Sequence, residues 1–274
     1  MPEAVQINLR EVFKSKNPKL AKKIPGFVFR MIEKLVKQDE MNLILSKHKD
    51  KFGLDFVNAV LNEFQVTAIC ENEEKIPKTG RYIFAGNHPL GALESHVMMK
   101  FVGKYHNNIR FLVNDLLLYL KNYSPIFVPI NKHGAQSKDA AKQIEETFES
   151  DAQILYFPAG LVSRKIKGKI IDLEWKKSFI NRAVRYKRDI VPVYLDGKNS
   201  NFFYNFANFR KMIGIKSNIE MILLPREMFK QKGKTIRIIF GKPIPWQTFD
   251  KSKNANEWAQ YVKEVVYQIP SNKD

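Results

Sequence analysis

The chain has 274 residues, 44% hydrophobic and 12% aromatic, enough to bury the core of one large domain or two small ones. Its 46 Lys and Arg against 28 Asp and Glu leave a net charge of +18 and a pI near 9.7, which points to an anionic partner: a nucleic acid, an anionic membrane or an acidic protein. The single cysteine, Cys70, excludes an internal disulfide and a cysteine-based metal site, and no apolar run nears the ~20 residues of a membrane-spanning helix.

Met1–Gln6 has none of the tracts of a signal peptide, so a reducing, cytoplasmic setting is expected. The first seventy or so residues read as amphipathic helices, with Phe27, Val28, Met31, Ile32, Leu35 and Val36 at helical spacing and Phe56, Val57, Val60, Leu61 and Phe64 again. The polar face of the first carries Lys22, Lys23, Arg30, Lys34 and Lys37, which suits either a helix lying on a membrane or a solvated face of a helix packed on the core. Gln65–Cys70 is strand-like, and Cys70 reads there as a small buried hydrophobe. Beyond it, strands are predicted at 82–85, 109–113, 126–130, 153–157, 190–195 and 236–240, with helices at 135–149, 175–187 and 257–268 between and after them. The alternation predicts an α/β fold, a central mixed sheet layered by helices, with an N-terminal helical cap over 1–70 and the α/β domain over 71–274.

Two strand ends carry the chemistry. Tyr82–Ala85 runs into Gly86, Asn87, His88, Pro89, Leu90 and Gly91, and an acid, Glu94, follows. Pro89 disfavours a helical His88 but suits the first position of a helix running on through Ser95, His96, Met98 and Met99. His88 would then stand at a helix mouth with a carboxylate near enough to orient it, the parts of a general base. The second strand ends in Phe157, Pro158, Ala159 and Gly160, followed by Ser163 and Arg164. From Arg164 to Arg188 ten basic residues stand against Asp172 and Glu174, a run that reads as a solvated face or as a docking surface.

Asn87-His88-Pro89 with a following acid, then Ser124–Lys132, then Phe157-Pro158-x-Gly160 with Ser163-Arg164, then Ile190–Tyr194, resembles the blocks of the glycerolipid (lysophospholipid) acyltransferase family in their order, over roughly 80–200. The resemblance implies an O-acyltransferase that moves a fatty acyl group from a thioester, on acyl carrier protein or coenzyme A, to a hydroxyl of a lyso-lipid. His88 would be the general base and Glu94 its orienter, with Asn87, Gly91, Lys132, Phe157, Pro158, Gly160, Ser163 and Arg164 lining the substrate site. Backbone N–H groups near Gly91 or Gly160 would meet the oxyanion. No cofactor and no metal is expected beyond the thioester co-substrate. The partners would be a lyso-lipid acceptor, the acyl donor and an anionic membrane, with the chain peripheral on the inner face of the cell membrane.

Two positions depart from the family pattern. Its Asp position is Leu93 here, with Glu94 one residue on, so the pair meets only if His88 is extended and the helix begins after it. In the second block Ala159, Leu161 and Val162 stand where the family has Glu, Thr and Arg, removing the cation nearest its phosphate contact. The acceptor expected is lysophosphatidate or, given the missing cation, a lyso amino-acid lipid with a free hydroxyl on its acyl chain. The alternative is a catalytically degenerate lipid or membrane-surface binding protein. A nucleic-acid partner is not expected, since no RNP-like aromatic motif or helix-turn-helix is evident. No G-x-S-x-G elbow or complete phosphate loop occurs.

Overall fold

The computed structural model describes residues 6–16, 18–130 and 138–271. The chain begins with α1 (Leu9–Lys16), α2 (Pro18–Lys23), α3 (Gly26–Leu35), α4 (Gln38–Lys47) and α5 (Gly53–Glu63). It then enters β1 (Thr67–Glu71), β2 (Tyr82–Gly86), α6 (Leu93–Gly103), β3 (Ile109–Asn114), β4 (Phe127–Ile130), α7 (Lys138–Glu149) and β5 (Gln153–Tyr156). A hairpin, β6 (Arg164–Ile166) and β7 (Lys169–Ile171), leads to α8 (Ser178–Tyr186) and β8 (Asp189–Leu195). After these come α9 (Asn201–Met212), α10 (Leu224–Phe229), β9 (Thr235–Phe240) and α11 (Ala255–Gln268).

Seven strands form one mixed sheet in the order β1-β9-β8-β2-β5-β3-β4, parallel throughout except where β8 meets β9. Successive side chains of a strand face opposite sides, so each central strand feeds two cores. Phe84, Leu155, Val191 and Val193 pack with α5 and α6 on one side. Ile83, Ala85, Ile154, Tyr156 and Ile190 pack with α7, α8 and α11 on the other. Both faces are covered, which is why these strands read as continuous apolar runs.

The helical cap divides in two. Phe56, Val57, Val60, Leu61 and Phe64 are buried at 3% exposure or less, so α5 belongs to the sheet's own core. At ~1.5–3 kcal/mol for each such side chain, α5 is fixed on the sheet. α3 instead leaves Phe27 and Met31 59% and 65% exposed. β1 pairs with β9 at the sheet edge, so a division at residue 70 falls inside a strand.

The basic run from Arg164 to Arg188 does not form one surface. Arg164 and Arg188 are buried, and Arg188 donates to the carbonyls of Phe148, Ala152 and Ser150. Arg182 and Arg185 share Glu145. Lys167, Lys169, Lys176, Lys177 and Lys187 remain exposed. Trp175, predicted to open a helix, lies ahead of α8 and is fully buried.

Candidate active site

The carboxyl ends of β2, β5 and β8 lie side by side because the three strands are parallel, and open α/β sheets place ligands beyond such ends. Asn87 ties two of them together: its Nδ2 donates to the Leu195 carbonyl at 2.8 Å and its Oδ1 accepts the Leu195 N–H at 2.7 Å. It is buried and works as a brace between the ends of β2 and β8.

The helix after His88 starts at Leu93, four residues later than Pro89 suggests. The intervening turn wraps around a carboxylate. Leu90 and Gly91 donate their N–H groups to Glu94 Oε1 at 2.8 and 2.6 Å, and Ala92 donates to Oε2 at 2.8 Å. Gly91 makes the turn with φ +96°, where a Cβ would stand 2.8 Å from Val162 Cγ2. Glu94 thus sits in the first helical turn, where the dipole favours an anion, and it is wholly buried.

His88 Nδ1 lies 2.9 Å from Glu94 Oε1, with the ring N–H off the line between them. Unliganded catalytic pairs often show such loose alignment. Burial pushes the Glu94 carboxyl up, but the charge and hydrogen bonding of His88 and the N–H groups of Gly91 and Leu90 outweigh it, and the net direction is down. Glu94 is therefore a carboxylate at neutral pH. The Phe157 ring stacks on the imidazole at 4.2 Å and 24°, forming a shelf under His88.

Asp172, read from the sequence only as a countercharge, is the residue that holds the two motif loops together. Its Oδ1 accepts the His88 N–H at 3.2 Å and the Ser163 hydroxyl at 2.5 Å, and its Oδ2 accepts Trp175 Nε1 at 2.8 Å. The Ser163 N–H in turn donates to the His88 carbonyl at 2.8 Å. Burial raises the Asp172 carboxyl, with those donors pulling the other way. An Asp172→Asn substitution puts an NH2 group where one donor needs an acceptor, so about 1–3 kcal/mol of stability is expected to be lost. Urea unfolding measures it, and an unchanged midpoint would contradict the clamp.

The remaining predicted residues divide plainly. Phe157 stacks on His88 and Gly91 holds its Glu94 partner, but the Gly91 N–H serves Glu94 and the Gly160 N–H serves the Phe157 carbonyl at 2.9 Å. Neither is available as the oxyanion donor that the glycines suggested. Pro158 is buried, and its carbonyl accepts the Lys176 N–H at 3.1 Å. Ser163 is buried in the Asp172 clamp. Arg164 is buried too, donating to the Val162 carbonyl at 2.6 Å and to Glu220 at 2.7 Å. Lys132 lies outside the described residues. His96 packs away from the site, its Nε2 2.5 Å from the Tyr123 hydroxyl, and burial pushes it down to about 4.

The family described as Acyltransferase matches residues 11–274. The chain is 48% identical to a lyso-glycine lipid O-acyltransferase of Bacteroides thetaiotaomicron, covering 96% of this chain and 97% of that one. It is 45% identical to a protein of the same description from Phocaeicola vulgatus, covering 96% and 95%. Among solved structures it is similar, at 16% identity and a TM-score of 0.47, to the 1-acyl-sn-glycerophosphate acyltransferase PlsC of Thermotoga maritima, with 90% of this chain and 95% of that one covered. A match running from residue 11 to the last residue, with two relatives near half identity over almost the whole chain, makes this protein a member of the acyltransferase family.

Proposed function

We propose that the protein acylates a free hydroxyl of a lyso-glycine lipid at a membrane surface, drawing the acyl group from a thioester on acyl carrier protein or coenzyme A. The observation that carries the chemistry is His88 Nδ1 facing the buried Glu94 carboxylate at 2.9 Å. Glu94 holds Nδ1, which leaves Nε2 for the substrate. The acceptor oxygen attacks the thioester carbonyl as His88 Nε2 takes its proton, the C–S bond breaks, and the proton passes to the departing thiolate. Glu94 stabilises the imidazolium between the two transfers, and no acyl-enzyme forms.

Two features support the acceptor. The relatives near half identity are described as acting on lyso-glycine lipid. Val162 stands where the family has its phosphate-contacting cation, and Arg164, the next cation along the chain, is committed to Glu220 and Val162, which suits a head group without phosphate. Among the described residues no helix is long and apolar enough to cross a membrane, so contact with the bilayer is peripheral in this reading, on the inner face of the cell membrane. The degenerate alternative gains nothing from the loss of the family's Asp, since Leu93 is buried and Glu94 reaches His88 from the next position. Incubation with lyso-glycine lipid and either a long-chain acyl carrier protein thioester or acyl coenzyme A tests the proposal by mass spectrometry. An O-acylated product with one donor is expected, and none with either would overturn it.

A further inference from the structure

Between Asp196 and Glu220 the chain has no acidic residue, while Lys198, Arg210, Lys211 and Lys216 fall within it. α9 occupies most of that stretch. Ser200 caps it by accepting the Phe203 N–H, and Phe203, Tyr204 and Ala207 are buried on its inner face. Its outer face and the turn beyond leave Phe202, Phe209, Met212, Ile213, Ile215 and Ile219 between 38% and 74% exposed. Single exposed apolar residues are ordinary, but six within eighteen positions mark a surface that meets something.

These side chains are held outward. Arg210 reaches under the turn, donating to the Ile215 carbonyl at 2.6 Å and to Asn218 Oδ1 at 3.0 Å, with its Nε 2.8 Å from Glu220 Oε2. The same Glu220 binds Arg164, the first residue of the β6–β7 hairpin. That hairpin lies against α9, with Asn208 Nδ2 3.4 Å from the Lys165 carbonyl. It adds Lys165, Lys167 and Lys169 and the exposed Ile166, again with no acid. Glu220, the one carboxylate here, is buried between two guanidiniums.

We infer that α9, the turn after it and the β6–β7 hairpin form the surface by which the protein docks on an anionic lipid bilayer. The inference rests on the membrane-surface reading above and adds which face does the docking. Protruding Phe, Met and Ile side chains suit the acyl boundary, and flanking lysines suit anionic head groups. An acidic carrier protein would be met by the lysines alone, and the projecting apolar tips favour the bilayer. The hairpin begins one residue after Ser163, whose N–H holds the His88 carbonyl, so docking here brings the catalytic loop to the lipid.

Sedimentation with phosphatidylcholine vesicles, with and without phosphatidylglycerol, tests it on wild type, Phe209→Asn/Met212→Asn and Lys211→Gln/Lys216→Gln. Wild type is expected to favour the anionic vesicles, and each pair to weaken that binding by about tenfold or more. Because all four residues are exposed, thermal unfolding and turnover of a soluble short-chain acceptor without vesicles are expected to stay at wild-type levels. Undiminished vesicle binding by both variants would refute this surface and leave the membrane reading standing. Wild type that binds no vesicle, or binds only an acyl carrier protein through these residues, would overturn both.

Discussion

A folded His88→Ala protein is expected to lose acyl transfer by roughly 10²–10⁴-fold, the contribution of a positioned general base. The ring is 17% exposed and touches mainly Phe157 and Glu94, so its removal leaves the sheet and the Asn87 brace in place. Glu94 keeps its three backbone donors when His88 is gone, which limits the cost of the buried charge. Circular dichroism establishes the fold and single-turnover kinetics the rate. Wild-type turnover in a folded variant would remove His88 from the reaction.

Glu94→Gln is expected to lower kcat on the order of 10²–10⁴-fold, by analogy with loss of the carboxylate from other acid-histidine pairs. Gln can keep an acceptor toward Leu90 and Gly91, but its NH2 group then faces the Ala92 N–H, and the charge that stabilises imidazolium is lost. The substitution also changes the response to acid. Because the folded Glu94 is held below the ordinary carboxylate range, the unfolded chain takes up its proton first as pH falls. Its contribution to stability is therefore complete above the unfolded value and is lost as pH falls through the lowered folded one. Urea midpoints across that acid window should fall more steeply in wild type than in Glu94→Gln. Parallel slopes would mean that Glu94 is not held as a carboxylate.

Much of this architecture was legible in periodicity. The six predicted strands appear within a residue or two of their expected bounds because both faces are buried and their apolar runs have sharp ends. α9 carries no clear helical period in the sequence, since Asn-Phe-Phe-Tyr-Asn-Phe-Ala-Asn-Phe has five aromatics that do not settle on one side, and two of them, Phe202 and Phe209, face outward. α6 starts later than Pro89 predicts because Pro fits a turn as well as a helix start, and the three N–H groups that converge on Glu94 are visible only once the chain is folded. The site was legible where residues adjoin in sequence and opaque where they do not. Asp172 lies 84 residues from His88, and Tyr267, whose hydroxyl accepts the Asp172 N–H, lies 95 further on. Arg164 was readable as a cation but not as one already paired, because Glu220 is 56 residues away.

The most direct test gives wild-type enzyme lyso-glycine lipid and lysophosphatidate in equal amounts with one long-chain acyl thioester, and reads the products by mass spectrometry. Acylated glycine lipid as the dominant product is the result that the occupied Arg164 predicts. Phosphatidate as the dominant product would contradict it.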